Sequence, residues 1–216
     1  MQNIIIVEPQ KLVLCGLKHI LDTHNICQTI QTVTSGREAI SLAAHENVDL
    51  IIISTTVDDM SVNALLKKLK RDQPRILLLI LANQLNRVLA KKYLTSGADG
   101  YITKREDETN FINALQKIAQ NKRVIPKNIV ENESDLELEE EGNPFNCLSE
   151  RETDILLFMI KGKAVKQISA ILNLSPKTIS TYKGKIFEKL HVNSLIEVFV
   201  LASEFGLLDT QACSHA

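Results

Sequence analysis

Tryptophan is absent from these 216 residues, and three tyrosines and six phenylalanines are all the aromatics there are. The cores must therefore be built from aliphatic runs. Cysteine is scarce as well. Cys15, Cys27, Cys147 and Cys213 form no C-x-x-C pair and stand beside no histidine at ligand spacing. The thiols are expected to be reduced and free of metal. The histidines (His19, His24, His45, His191, His215) are scattered too, which points to surface and packing roles. No apolar run approaches the ~18 residues that a membrane helix needs. The opening MQNIIIVEPQ has neither a basic n-region nor a long apolar stretch, so it does not read as a signal peptide. A cytoplasmic protein without membrane contact is expected. Neither sign of charge dominates: 25 basic against 26 acidic residues leave a net −1. The whole-chain charge thus points to no partner, and only local imbalance can. A nucleophile–base pair, a phosphate loop and a metal cluster are all missing, so neither an enzyme nor a bound cofactor is expected.

What is present divides the chain. Residues 131–141, ENESDLELEEE, carry seven acids and no base, and Gly142, Asn143 and Pro144 come next. Such a stretch cannot bury enough apolar surface to fold alone and reads as a solvated linker. An acidic loop within one domain fits less well, because the hydrophobic periodicity changes character on its two sides. Three regions result: a domain over 1–124, a linker over 125–146 and a second domain over 147–216.

Before the linker, strand-like runs at 3–7, 28–33, 49–53, 76–81 and 99–102 alternate with helical spacing. Val13, Leu14, Leu17, Ile20 and Leu21 mark the first helix. Ser35 and Glu38 form a capping box for the second. Leu65, Leu66 and Leu69 mark a third, Val88, Leu89 and Leu94 a fourth stopped by Gly97, and Phe111, Ile112, Leu115 and Ile118 a fifth. Five βα units with continuous apolar strands imply an α/β, doubly wound parallel sheet of five strands. One run, VDLIIISTT, ends on hydroxyls at Ser54, Thr55 and Thr56. Strand tips of this kind are where open α/β sheets place their chemistry.

After the linker no strand is expected. Ser149 and Glu152 form a second capping box, and Gly162 ends the helix it opens. A short helix covers about 166–172. Ser175 then caps a helix with Pro176 at its first position, running to about Leu190. Ser194 and Glu197 open a last helix that Gly206 ends. Two helices joined by a tight turn describe a helix-turn-helix within an all-α, four-helix domain. On the 177–190 wheel, Ile179, Tyr182, Ile186 and Leu190 share one side. Lys177, Ser180, Thr181, Gly184 and Glu188 share the other, flanked by Lys183, Lys185 and Lys189. Lys161, Lys163 and Lys166 add charge near the preceding turn. A polar face edged by lysines suits the major groove of double-stranded DNA: lysines hold phosphates and short side chains reach base edges.

The segment LSERETDILLFMIKGKAVKQISAILNLSPKTISTYKGKIFEKLHVNSLIEVFVLA resembles the DNA-binding domain of the LuxR/NarL/FixJ family over residues 148–205. The resemblance implies that Ser180, Thr181 and Gly184 stand where the family touches bases, with Lys166, Lys177, Thr178, Lys183 and Lys185 placed for further DNA contacts. Gly184 departs from the pattern, since it has no side chain to read with. The N-terminal part, with SGADGYITK at Ser96–Lys104, resembles a response-regulator receiver domain over roughly 2–122. A working receiver phosphorylates an aspartate at the tip of its third strand, with Mg²⁺ held by acids nearby. Here Glu8-Pro9 stands where two acids belong, Ser54 at the acceptor position and Ala82 at the switch position. Only Lys104 remains. The expectation is a degenerate receiver in which Lys104 pairs with Glu8 or caps a carbonyl, and in which Asp58 and Asp59 do not stand in as acceptors. The two resemblances together imply a bacterial transcription regulator that is independent of phosphorylation and binds DNA as a homodimer. RNA polymerase or a related regulator are further partners. Two alternatives remain: a conventional phosphorylation-switched regulator, and an interaction protein that sequesters a related regulator as a mixed dimer.

Overall fold

Five strands form one parallel sheet in the computed structural model, which describes residues 2–126, 143–205 and 207. The strands are β1 (Asn3–Val7), β2 (Thr29–Val33), β3 (Leu50–Ser54), β4 (Leu77–Ala82) and β5 (Gly100–Thr103), in the order β2-β1-β3-β4-β5. Alternation along each strand decides the two layers. Ile5, Val7, Ile51, Ile53, Leu78 and Ile80 face helices α2 (Gly36–His45), α3 (Val62–Asp72) and α4 (Arg87–Thr95). Ile4, Ile6, Leu50, Ile52, Leu79 and Leu81 face α1 (Lys11–Thr23) and α5 (Glu108–Ala119). Every residue of β3 is buried, as a central strand covered on both faces requires. The order reverses around β1, which has β2 on one side and β3 on the other. The exits of β1 and β3 therefore flank a crevice, and Glu8 and Ser54 stand at those exits.

The flanks of the expected linker are packed. Val124 bridges to Gly100, Tyr101 N donates to its carbonyl at 2.9 Å, and Ile125 lies against the core. Gly100 makes room for this, since a Cβ there would stand 3.1 Å from Val124 Cβ and 2.8 Å from Ile118. On the other flank Pro144–Cys147 forms a 3₁₀ turn that buries Phe145, whose ring meets Phe205 edge-on at 6.2 Å. The chain falls into two units, Met1–Ile129 and Val130–Ala216. The acidic run, Gly206, Cys213 and His215 lie outside the described residues.

The second unit holds α6 (Glu150–Ile160), α7 (Val165–Leu172), α8 (Pro176–Lys189) and α9 (Leu195–Glu204). Asn173 takes the left-handed conformation (φ 53°) that turns the chain from α7 toward α8. Ser175 Oγ then accepts the amide of Thr178 at 3.0 Å. Of the three expected capping boxes, only that at Ser149 closes fully, with Ser149 N donating to Glu152 at 2.8 Å. At Ser35 and Ser194 the glutamate turns instead to the preceding amide, Thr34 N and Asn193 N. The reason is the cap backbone. Ser149 has φ −63°, whereas Ser35 and Ser194 sit at −133° and −142°. That rotation carries the cap's own N–H away from the helix.

Glu152 is nearly buried and pairs with Lys189 at 2.7 Å. Burial pushes its pKa up, but hydrogen bonds from Lys189 and Ser149 outweigh this and hold it below the ordinary glutamate value. A depressed folded-state pKa means stability that is complete above the unfolded value and is lost as pH falls through the folded one. Hydrogen exchange at the α6 amides is therefore expected to be flat with pH, after correction for intrinsic rates, down to the ordinary carboxylate range. Protection should fall below that range, and Glu152→Gln should flatten this acid limb.

Candidate functional site

The crevice at the sheet's C-terminal edge is filled by its own side chains. Glu8, placed by the end of β1, has no exposed surface. Its Oε2 lies 2.7 Å from Lys104 Nζ and has no further hydrogen-bond donor among the described residues. Its Oε1 accepts the Gln10 amide at 2.8 Å and the Thr56 hydroxyl at 3.3 Å. Ser54 is 1% exposed, and its hydroxyl sits 2.7 Å from that of Thr56. Lys104 Nζ also donates to Gln10 Oε1 at 3.3 Å. Of the two roles expected for Lys104, pairing with Glu8 is the one observed. Ala82 is buried at the end of β4 and lends only its carbonyl, which accepts Lys104 N at 2.7 Å. Pro9 comes after Glu8, half-buried. Thr56 and Gln10 complete the network. The hydroxyls after β3 were visible in the sequence, but nothing local told that Thr56 would bridge Ser54 to Glu8.

Two neighbours bear on what this crevice can do. Asp59 is engaged as a cap, accepting the amides of Gly36 and Arg37 at 2.8 and 3.0 Å, and so sits on the start of α2. Tyr101 is 1% exposed, and its hydroxyl donates to Gln84 O at 3.0 Å while accepting Asn86 N at 3.4 Å. The described residues contain no group of three metal-ligating side chains and no helix long and apolar enough to cross a membrane.

Helix α8 carries the second cluster. Ile179 and Ile186 are buried on its inner side, while Lys177, Ser180, Thr181, Gly184, Lys185 and Glu188 are exposed. Lys166 is exposed on α7. Four expected positions are already engaged. Thr178 is half-buried and its hydroxyl meets Ser175 Oγ at 2.7 Å, so it belongs to the cap. Lys183 is half-buried, with its ammonium 5.3 Å from the Phe187 ring centre. Ser180 and Thr181 each turn their hydroxyl back to the carbonyl four residues earlier, at 3.0 Å. Lys189, expected in the lysine flank, stays exposed but is engaged by the buried Glu152 and by the Cys147 carbonyl at 3.2 Å. A Cβ at Gly184 would meet nothing within 4 Å, so the domain's own packing does not demand glycine there.

Comparison with known proteins covers both clusters. Residues 4–116 match the family described as response regulator receiver domain, and residues 146–202 match bacterial regulatory proteins, luxR family. The chain is 28% identical over 216 residues to response regulator UvrY of Escherichia coli strain K12, covering 99% of each chain. It is 28% identical over 211 residues to response regulator GacA of Pseudomonas aeruginosa, covering 97% of this chain and 99% of that one. Among solved structures, RcsB of Salmonella typhimurium superposes with a TM-score of 0.76 at 22% identity, covering 94% of this chain and 98% of that one. RcsB from Salmonella enterica serovar Typhimurium, bound to promoter rprA in the presence of phosphomimetic BeF3−, gives 0.74 at 22% identity, with the same coverage. At these identities the two structures speak for the fold.

Removing one partner of a buried ion pair leaves the other charge stranded. Lys104→Ala is expected to destabilise the first unit by about 3–5 kcal/mol, and a Glu8→Gln, Lys104→Gln pair to recover most of that loss. Urea unfolding monitored by far-UV circular dichroism checks both.

Proposed function

The chain belongs to the LuxR family of response regulators, DNA-binding regulators of transcription, and we propose that it acts without phosphorylation and as a homodimer. The observation that carries the independence from phosphorylation is the Glu8–Lys104 ion pair inside a crevice where Ser54 stands in place of an acceptor carboxylate, whereas the homodimer follows the solved RcsB relative, which is described as dimers bound to DNA. A serine hydroxyl is a weak nucleophile at neutral pH without a base, and this one is buried. Mg²⁺ demands near-octahedral oxygen ligands, and the one carboxylate here is already neutralised by lysine. Ala82 has no hydroxyl to hold a phosphoryl group. A ligand with no differential contact to two states shifts no equilibrium between them. The hydrogen bonds that hold Tyr101 inward support a single, constitutive state. Asp59, committed to the start of α2, is not a substitute acceptor.

DNA contact is assigned to α8 and the start of α7. Lys166, Lys177 and Lys185 reach phosphates from exposed positions, and Lys183 leaves the Phe187 ring to join them. Ser180 and Thr181 swing from their backbone carbonyls toward base edges, and Gly184 lets the helix approach closely. Thr178 holds the helix start in place. The protein works in the cytoplasm, needs no cofactor or metal, performs no catalysis, and has RNA polymerase or a related regulator as its further partner. A second reading, sequestration of a related regulator as a mixed dimer, draws on the missing side chain at 184 and the exposed Glu188 on the same face.

Acetyl phosphate with Mg²⁺ is expected to leave intact mass, oligomeric state and DNA affinity unchanged. Mass spectrometry with light scattering checks this, and a phosphoryl adduct accompanied by a change in dimerisation would refute it. Lys177→Ala and Lys185→Ala should each weaken binding on all sequences alike and lower the salt slope by about one. Thr181→Ala should change sequence preference, at about 1–3 kcal/mol on the best site. A genome-wide map of bound DNA for the wild type and the lysine variants separates DNA reading from sequestration.

A further inference from the structure

The turn between α7 and α8 holds three residues, Asn173, Leu174 and Ser175, and its backbone is secured from outside the turn. Arg151 of α6 donates through Nη2 to the carbonyl of Leu172, the last residue of α7, at 2.9 Å. Ser169 holds the turn from within α7. Its carbonyl accepts the amides of Asn173 and Leu174, the latter at 3.0 Å, and its hydroxyl donates to the Leu174 carbonyl. Both backbone groups of Leu174 are thus tied to one serine, immediately before the cap that opens α8. Arg151 and Ser169 are half-buried. The arginine runs against the electrostatics of its own helix. It sits at the second position of α6, where the dipole favours acids, and Glu150 and Glu152 flank it there. The end that favours a cation is the C-terminus of α7, whose last carbonyls have no partner within the helix. Arg151 answers one of them with a charge-assisted bond.

We propose that Arg151 and Ser169 are positioning residues for the reading of DNA: they fix the direction in which α8 leaves the turn, and through it the discrimination between base sequences. The proposal rests on the assignment of DNA contact to α8 made above. Both residues act through that helix rather than on the duplex. Ser180, Thr181 and Gly184 lie four to eight residues beyond Pro176, roughly 6–12 Å along the axis. A tilt of about 10° at the turn moves these positions by about 1–2 Å, enough to spoil a hydrogen bond to a base edge. Phosphates are met by lysines, whose long flexible stems follow such a shift. A loosened turn therefore costs discrimination before it costs phosphate contacts.

The test measures binding of the full chain by fluorescence anisotropy over a range of salt, to the best site of the genome-wide map and to a scrambled duplex of equal length. Arg151→Gln should weaken binding to the best site about tenfold, the scale of one base contact out of line, and binding to the scrambled duplex less than about twofold. The slope of log affinity against log salt should stay as in the wild type, because no phosphate contact is lost. Ser169→Ala removes one hydroxyl and no charge. It should show the same pattern, and it carries the test by itself if Arg151→Gln does not fold. Equal losses on both duplexes mark a domain that is merely less folded, and overturn the proposal. A salt slope lowered by about one in Arg151→Gln overturns it too, since Arg151 then holds a phosphate itself. Lys177→Ala without effect on affinity or slope overturns the assignment to α8. Lys177→Ala acting as expected, beside full discrimination in Arg151→Gln and Ser169→Ala, overturns the positioning role alone.

Discussion

A carboxylate without exposed surface must have its charge answered inside the protein, and Glu8 is answered by Lys104. The pair does more than neutralise. Glu8 leaves β1, Lys104 leaves β5, and Thr56 and Gln10 bring the exit of β3 and the start of α1 into the same network. Several chain crossings at one edge of the sheet are thus held by one buried charge. The polar atoms of that crevice meet partners within the fold, Glu8 Oε2 through Lys104 alone. The crevice is occupied by polar side chains that meet one another, and the energetics of its central pair obey the rules for buried ion pairs.

The same economy of charge orders the second unit. Lys189 stabilises the buried Glu152 and closes the Cys147 carbonyl, and Lys183 lies along Phe187. What remains facing outward is a shorter set of cations than a helical wheel suggests. Lys177 and Lys185 bracket an exposed Gly184, with Lys166 on the neighbouring helix. On the proposed reading, a face so composed would take most of its affinity from phosphates, and its strength would depend on ionic strength. Its hydroxyls at Ser180 and Thr181 are bonded to their own backbone, and to read a base as proposed they would first have to release it.

How much of this was legible depends on sequence separation. The aliphatic runs of β1 and β3 to β5 showed their strands within a residue or two, because burial on both faces leaves a continuous apolar string. Ser175-Pro176 located the start of α8, since a cap and its amide are three residues apart. The resemblance to a receiver placed Ser54, Ala82 and Lys104 at strand ends, and they stand there. The capping boxes at Ser35 and Ser194 were half right: the motif was present, but the φ of the cap decided where the glutamate turned. Ile125 read as linker, although it packs on the core beside Val124, because nothing in its own composition announces a sheet edge kept open by Gly100.

Local features follow from neighbouring residues alone. Strands, helices and caps rest on periodicities of two and 3.6 residues and on bonds that span three or four positions, so a short window contains all their causes. The pairing of charges, by contrast, depends on how the chain folds back on itself. Glu8 lies 96 positions from Lys104, Glu152 37 from Lys189 and Asp59 23 from Gly36, and in each case other charged or polar partners stood nearer in the chain. Which partner wins is settled by desolvation. The sheet and the helical core bury one carboxylate and bring one cation or amide within reach, and the surrounding charges stay in water, where pairing is worth little.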